Sequence, residues 1–212
     1  MIRAILFDFD GTLADTAPGI VKTMQETFRR MQLPIPDERD MRATIGLPLT
    51  QALQMLGQLN DEDALIATRL YKELFPTFEA SNVSIFDGVR DTLDQLRDHG
   101  LRLAIVTSRE SVSLDMICEH HGIRDCFETR VTHSDHLPSK PAPDMVLALL
   151  DRMQLDRNEV LVVGDTTYDI EMGNRAGCRT VAVTYGNHTR QQLLSAHPTY
   201  MIDSFRQLTQ LI

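Results

Sequence analysis

Hydrophobic and polar positions along the chain form two repeating patterns. Short continuous apolar runs at residues 4–7, 101–106 and 160–163 are typical of strands buried on both faces. Weaker runs predict further strands at 128–132, 180–184 and 200–202. Between the runs, apolar residues recur every three or four positions, as they do on one face of a helix. This alternation predicts an α/β fold with a Rossmann-like parallel sheet and helices on both faces.

A purely helical block at residues 17–80 interrupts this alternation just after the first strand. We therefore predict an α/β core formed by residues 1–14 and 83–212, and a helical cap domain at 15–82 with hinges at Asp15–Thr16 and Asn82–Val83. The block would lie over the carboxyl ends of the strands, where open α/β sheets bind ligands. Its predicted helix faces carry Ile20, Met24, Phe28 and Met31; Met41 and Ile45; Leu49, Leu53 and Leu56; and Ile66, Leu70, Leu74 and Phe78.

Composition and charge exclude several classes of function. The chain has 212 residues, 42% of them hydrophobic, and a net charge of −9. This charge argues against a nucleic-acid or anionic-membrane surface, and no apolar run approaches the ~20 residues of a membrane helix. Cys118, Cys126 and Cys178 show no paired spacing, so we expect free thiols. With no basic-then-apolar leader evident, we expect a cytoplasmic protein, monomeric or homodimeric.

Chemically notable residues follow three of the predicted strands. Asp8 and Asp10 end the first strand, Thr107 and Ser108 end the second, and Asp165 ends the strand at 160–163 with Asp169 four residues later. Because parallel strands end at one edge, we expect these side chains to converge. Mg²⁺ prefers such oxygen ligands. Each residue alone would more readily be a helix cap or a solvated group, but the coincidence across three strands favours a site.

Two further features suit a site that binds phosphate. Gly11 begins a turn directly after the first acidic pair, and a backbone without Cβ lets a ligand approach closely. Lys140 lies in the stretch SKPAPD, where the following proline holds its backbone extended. Such a stiff setting can aim an ammonium group at an anion.

The string DFDGTLADT at residues 8–16 resembles the first motif of the haloacid dehalogenase superfamily, in its phosphatase branch. The stretches DTAP at 15–18, FDGV at 86–89 and KPAPD at 140–144 are similar to the phosphoglycolate phosphatase-like branch, with a helical cap inserted after the first motif. Three further motifs follow in the expected order over nearly the whole chain. The resemblance implies that Asp8 is the nucleophile and Asp10 the general acid/base. It also implies a phosphate-binding set of Gly11, Thr12, Thr107, Ser108 and Lys140, and a Mg²⁺ site formed by Asp8, Asp10, Asp165 and, in the outer shell, Asp169.

Two positions next to these motifs depart from the family pattern or carry no assignment. Ser108 stands where relatives commonly carry Asn, which shortens the reach toward a phosphate oxygen. Arg109 has no assigned role, and both a substrate contact and a surface charge are open. The histidines His120, His121, His133 and His136 are expected to be solvated or to cap helices.

The resemblance implies a magnesium-dependent phosphatase that hydrolyses a small phosphorylated metabolite through an aspartyl-phosphate. Phosphoglycolate, pyrophosphate and sugar phosphates are all open as substrates, and cap positions Arg42, Gly46 and Leu47 are candidate specificity residues. The alternative is a phosphomutase similar to β-phosphoglucomutase. Against it, residues 15–20 contain no histidine like the one that such mutases carry at the cap hinge. A non-enzymatic phospho-acceptor or binding module is a more remote alternative, because no motif residue is lost.

Overall fold

The computed structural model of the protein describes residues 1–79 and 82–212. Eight strands are formed, of which six make one parallel sheet and two make a short antiparallel pair. The strands are β1 (Ala4–Phe7), β2 (Ala14–Asp15), β3 (Ser84–Ile85), β4 (Arg102–Val106), β5 (Thr129–Val131), β6 (Val160–Gly164), β7 (Arg179–Val183) and β8 (Tyr200–Ile202).

Helices occupy most of the remaining described chain. Four of them follow β2 without an intervening strand, and the others alternate with the strands of the large sheet. The helices are α1 (Ala17–Arg30), α2 (Glu38–Ala43), α3 (Leu49–Gly57), α4 (Asp61–Glu79), α5 (Val89–Asp98), α6 (Ser111–His120), α7 (Asp144–Met153), α8 (Thr167–Arg175) and α9 (Arg190–Ser195). We call α1 to α4 the helical insert.

The large sheet has the strand order β5-β4-β1-β6-β7-β8, and β1 lies near its centre between β4 and β6. Strand side chains alternate between the two faces. Ile5 and Phe7 pack into one hydrophobic cluster with α5 and α6, whereas Leu6 packs into the other with α7 and α8. Both faces are therefore buried, which confirms the prediction of a parallel sheet covered by helices on both sides.

The helical insert has its own hydrophobic cluster, centred on Phe28, Met41 and Leu53. Both connections between the insert and the sheet pass through the antiparallel pair of β2 and β3, with Ala14 opposite Ile85. This pair was not predicted, because two-residue strands leave no periodic pattern. The proposed domain boundary at residues 15–82 coincides with this pair and stays a prediction. Within the described residues, no helix is long and apolar enough to cross a membrane.

The predicted packing face of α4 was wrong in part. Ile66 is 42% exposed, whereas Ala64, Ala67 and Tyr71 are buried. The buried face is thus rotated by about one residue from the predicted stripe, although Leu74 lies on it as expected. Small alanines let α4 approach α1 closely, so the contact face follows residue size as well as hydrophobicity. Asn60 caps α4, since its Oδ1 accepts a bond from the backbone N of Asp63 at 2.9 Å.

The separate cluster of the helical insert generates a stability prediction with a matched control. Leu53→Ala removes a fully buried side chain from that cluster, whereas Leu65→Ala truncates a side chain that is 54% exposed on α4. We expect Leu53→Ala to lower the free energy of unfolding of the insert by about 2–5 kcal/mol, and Leu65→Ala to change it by less than about 0.5 kcal/mol. Hydrogen exchange should show lost protection in α1 and α4. Equal loss in both variants would contradict the packing described here.

Candidate active site

The strand-end residues converge at the carboxyl edge of the large sheet. The backbone N of Asp8 donates to the carbonyl of Val163 at 2.9 Å, which continues the ladder between β1 and β6 beyond their last paired residues. Asp8 and Asp165, which follow these two neighbouring strands, are consequently brought together. Both carboxylates are almost completely buried, with 3% and 0% of the residue exposed.

Lys140 lies at the centre of this buried group. Its Nζ donates to Asp8 Oδ1 at 2.5 Å and to Asp169 Oδ1 at 2.7 Å. Asp169 is in the first turn of α8, where its other oxygen accepts bonds from the backbone N and the hydroxyl of Thr166 at 3.0 and 2.6 Å. This reciprocal cap fixes Asp169, because one oxygen serves the helix terminus and the other binds the lysine. The ammonium thereby holds β1 and α8 together.

Asp165 is fixed from two other directions. Thr12 donates its hydroxyl to Asp165 Oδ1 at 3.0 Å, and Asn187 donates its backbone N and side-chain amide to Oδ2 at 2.7 and 3.0 Å. A Cβ at Gly11, whose φ is +90°, would collide with both Asp165 and Asn187. A Cβ at Gly164 would collide with Asp169. Glycine is therefore required at these two positions for the carboxylates to pack against the backbone.

The group of Asp8, Asp165 and Asp169 fits a divalent cation. One carboxylate oxygen from each residue lies within 4.8 Å of the others, and all three residues are buried. Burial first, and then the neighbouring carboxylates, raise the pKa of Asp8 well above its usual value despite the opposing charge of Lys140. Burial and Asp169 raise the pKa of Asp165 to about 7. Crowded buried carboxylates that resist ionisation are relieved by a hard cation with oxygen ligands, such as Mg²⁺.

The side chain of Asp10 has different partners from those of Asp8, Asp165 and Asp169. Its side chain accepts a bond from the Thr16 hydroxyl at 2.6 Å and an ion pair from Arg109, whose Nη2 lies 2.5 Å from Oδ1. Burial alone would raise the pKa of Asp10, but Arg109 and Thr16 outweigh it and lower that pKa. The backbone carbonyl of Asp10 instead faces the Asn187 amide at 3.5 Å. The two acids of the first motif thus have opposite electrostatic surroundings.

A cavity of about 430 Å³ separates these sheet-edge residues from the helical insert. Asp8, Asp10, Thr107 and Ser108 line it, whereas Lys140, Asp165 and Asp169 lie behind Asp8 and outside the lining. Gly11 and Thr12 are also outside the lining. Of the candidate specificity residues, Gly46 and Leu47 line the cavity. Arg42 does not; its Nε pairs with Glu38 at 2.9 Å on the same helix.

The residues that follow β4 contact the helical insert directly. Thr107 Oγ1 accepts a bond from the backbone N of Arg109 at 3.2 Å, and Ser108 donates its hydroxyl to the carbonyl of Gly46 at 2.7 Å. Near the rim of the cavity, Lys72 of α4 pairs with Glu110 at 2.9 Å. These contacts hold the insert over the sheet edge.

Sequence reasoning left Arg109 unassigned and missed Thr16 and Asn187. Arg109 is also 5.3 Å from the centre of the Phe75 ring, so it lies between Asp10 and the insert. Asn187 follows β7, so its position at the end of another parallel strand was the available signal. The histidine His188, also unpredicted, is buried, and its Nδ1 accepts from the backbone N of Thr167 at 3.1 Å.

Comparison with known proteins agrees with this geometry. The model of the haloacid dehalogenase-like hydrolase family matches residues 5–183. The chain belongs to this family. A relative from Dickeya dadantii, "Probable phosphatase IndB", is 35% identical over 96% of this chain and 90% of its own length. A phosphoglycolate phosphatase of Vibrio vulnificus is 30% identical over 100% and 96%, and the pyrophosphatase PpaX of Oceanobacillus iheyensis is 30% identical over 100% and 97%.

Solved structures show the same architecture. A haloacid dehalogenase-like protein from Bacteroides fragilis superposes with a TM-score of 0.94 and 26% identity, covering 98% of this chain and 100% of that one. A chain from Bacteroides vulgatus that carries the name of a β-phosphoglucomutase shares the fold at a TM-score of 0.85 and 21% identity, covering 99% and 86%. The fold and the placement in the phosphoglycolate phosphatase-like branch are thereby confirmed.

The opposite surroundings of the two first-motif acids generate a stability prediction. Because the folded-state pKa of Asp8 is raised, this carboxyl stabilises the folded protein at pH values below 3.8, which is its ordinary pKa. The contribution is lost as pH rises through the raised pKa. The lowered pKa of Asp10 means that its contribution is present above 3.8 and is lost as pH falls through the folded-state pKa. In chelator at pH 8, Asp8→Asn should therefore unfold at the same or a higher temperature than the parent protein.

Asp10→Asn should act in the opposite direction under the same conditions. It leaves the buried Arg109 without its carboxylate, so we expect a loss of about 3–5 kcal/mol in the free energy of unfolding at pH 8. Between pH 8 and pH 3, the difference at Asp8 should shrink as pH falls through its raised folded-state pKa, whereas the difference at Asp10 should begin to shrink only below pH 3.8, toward its lowered folded-state pKa. Thermal melts of the two variants across this range provide the measurement, and shifts of the same sign at pH 8 would contradict the assignment.

Proposed function

We propose that the protein is a magnesium-dependent phosphatase that hydrolyses a small phosphorylated metabolite through an aspartyl-phosphate intermediate. The observation that carries the proposal is the buried carboxylate group of Asp8, Asp165 and Asp169, joined by Lys140 and reached from the cavity at Asp8. The family membership and the names of the relatives support it. Phosphoglycolate, pyrophosphate and sugar phosphates are the substrates that these relatives and the motifs suggest.

The reaction divides into two displacements at phosphorus. In the first, a carboxylate oxygen of Asp8 forms a bond to phosphorus while the ester P–O bond breaks, and the leaving oxygen takes a proton from Asp10. In the second, water attacks the phosphorus, gives a proton to Asp10 and breaks the Asp8–phosphorus bond. Inorganic phosphate leaves and both acids return to their starting states.

Positive charge has to offset the phosphate and the nucleophile during both steps. Lys140 supplies a fixed charge next to Asp8. Asp8 and Asp165 would hold Mg²⁺ together with the backbone carbonyl of Asp10, and Asp169 would lie in the outer shell. Bound Mg²⁺ would supply electrostatic stabilisation of the phosphoryl oxygens. Thr107 and Ser108, which line the cavity beside Asp8, would bind those oxygens. The phosphate-binding roles of Gly11 and Thr12 stay predictions.

Thr16 and Arg109 are proposed to position Asp10. The ion pair with Arg109 favours the ionised carboxylate, which is the form that the base in the second step requires. For the first step, Asp10 has to carry the proton that the leaving oxygen takes.

The helical insert is proposed to act as a cap domain spanning residues 15–82. Its contacts from Gly46 to Ser108 and from Lys72 to Glu110 would keep bulk water from the reacting phosphate, and the β2–β3 pair would be the hinge. A cytoplasmic location and a monomeric or homodimeric state belong to the same proposal.

The proposal predicts how turnover responds to metal and to two substitutions. Phosphate release with Mg²⁺ should fall to background in excess chelator and return when Mg²⁺ is restored. Asp8→Asn should abolish turnover, since an amide does not form the acyl phosphate. Asp10→Asn should lower kcat by about 10²–10⁴, because general acid–base catalysis contributes about that factor. Phosphate release from phosphoglycolate, pyrophosphate and sugar phosphates provides the measurement. Full activity in chelator, or in purified Asp8→Asn protein, would end the proposal.

The alternative function, a phosphomutase, predicts a different product. A mutase has to protect its aspartyl-phosphate from water until the sugar intermediate returns. The stretch at residues 15–20 contains no histidine for such a gate, so we expect Asp10 to activate water and the phosphoenzyme to be short-lived. Incubation with β-glucose 1-phosphate and Mg²⁺ should release phosphate without glucose 6-phosphate. Rapid conversion to glucose 6-phosphate with little phosphate release would favour the mutase instead.

A further inference from the structure

The wall of the cavity formed by the helical insert is largely apolar. Ile20 and Met24 of α1, Leu47, and Tyr71 and Phe75 of α4 face the space above Asp8 and Asp10. The threonines on this wall are engaged within the insert: Thr44 donates to the carbonyl of Met41 at 2.7 Å, and the hydroxyls of Thr68 and Thr50 lie 2.9 Å apart. A leaving group in this space therefore meets hydrocarbon and aromatic surface.

The positive side chains of the cavity are already paired with carboxylates of the chain. Lysine and arginine occur in the described lining at Lys72, which pairs with Glu110 at 2.9 Å, and at Arg109, which pairs with Asp10 at 2.5 Å. To reach a lysine or arginine here, a second anionic group on the substrate, whether carboxylate or phosphate, would have to break one of these pairs. The Arg109 pair is buried and costly to break, whereas the Lys72 pair is about half exposed and contributes less. The pairing beside Asp10 therefore disfavours such a group.

The core side of the cavity carries two large apolar side chains beside the polar Glu110, Ser113 and His133. Val112 and Met116 of α6 line the cavity and are 71% and 58% exposed. Large exposed apolar side chains beside a cavity are typical of ligand-binding surfaces. The volume of about 430 Å³ is in the range of about 300–1,000 Å³ found for cavities that bind organic molecules. Apolar side chains thus line the cavity both on the insert and on α6.

We propose that the substrate is a phosphate monoester of an uncharged, largely apolar alcohol, whose body lies between α4 and the Val112–Met116 edge of α6. The inference rests on the proposed phosphatase function and narrows its substrate class. It distinguishes this chain from an enzyme built for phosphoglycolate or pyrophosphate, because both of those carry a second anionic group.

The first test measures hydrolysis of methyl, butyl and hexyl phosphate with Mg²⁺, beside phosphoglycolate and pyrophosphate. The chemistry at phosphorus is nearly constant along the alkyl series, so differences report contacts of the leaving group. We expect kcat/KM to rise about two- to fourfold per added methylene group that the cavity buries. Butyl phosphate should be preferred to phosphoglycolate by at least about tenfold.

The second test measures binding without turnover. 3-Methylbutylphosphonate and 3-phosphonopropionate have the same shape, but the second carries a carboxylate in place of the branched methyl groups. Calorimetry with Mg²⁺ should give a lower Kd for 3-methylbutylphosphonate, by at least about tenfold. This measurement does not depend on the pKa of a leaving group or on the rate of a chemical step.

A pair of matched variants locates the contact. Met116→Ser removes an apolar side chain at the cavity opening, and Leu194→Ser removes one of nearly equal exposure, 56%, on α9 away from the cavity. Met116→Ser should lower kcat/KM for hexyl phosphate about three- to tenfold and leave methyl phosphate unchanged. Leu194→Ser should change neither value.

The outcomes separate the inference from the function on which it rests. A flat or falling alkyl series, tighter binding of 3-phosphonopropionate, or a Met116→Ser effect equal on both esters would overturn the apolar leaving group, while the phosphatase function stands. Absence of phosphate release from every ester would overturn the proposed function, and the substrate class with it.

Discussion

The bridge that Lys140 forms between Asp8 and Asp169 is the interaction on which the rest of the site depends. Burial by itself would lower the pKa of this lysine, yet the two carboxylates outweigh burial and raise it. Three aspartates without this ammonium would be too costly to bury together. The bridge also joins segments 132 residues apart in sequence, since it ties the end of β1 to the loop before α7. The same bridge therefore positions the carboxylates at the edge of the sheet and balances their charge.

The arrangement separates the chemistry from the choice of substrate. Apart from Lys140, the residues with roles in the proposed reaction lie at the ends of β1, β4 and β6, where the packing of the sheet fixes them. The opposite wall of the cavity comes from the helical insert, which has its own hydrophobic cluster and joins the sheet through two short strands. Arg109 links the sheet edge to the insert, because it contacts Asp10 on one side and Phe75 on the other. A change in the insert can therefore affect Asp10, the proposed acid–base residue, through one guanidinium.

The same separation explains why the names of the relatives do not identify a single substrate. Relatives about 30% identical over almost the whole chain carry the names of enzymes for phosphoglycolate and for pyrophosphate. Those substrates share a phosphate and differ in what is attached to it. One kind of sheet edge can therefore serve all of these substrates, and we expect the insert to select among them. In this chain the insert presents Met24, Leu47 and Tyr71 to the cavity, and the cations nearby are paired.

Local patterns determined the strands and the residues at their ends. The first strand was predicted at residues 4–7 and is observed at Ala4–Phe7, because a strand buried on both faces needs an apolar run whatever its neighbours. The position of Asp8, Asp10 and Asp165 at one edge followed from parallel pairing. Only the tertiary structure decided the face of α4, the role of Asn187, and the pairing of Arg109 with Asp10. These depend on side-chain size and on contacts across as many as 177 residues, such as that between Asn187 and Asp10, which no local period encodes.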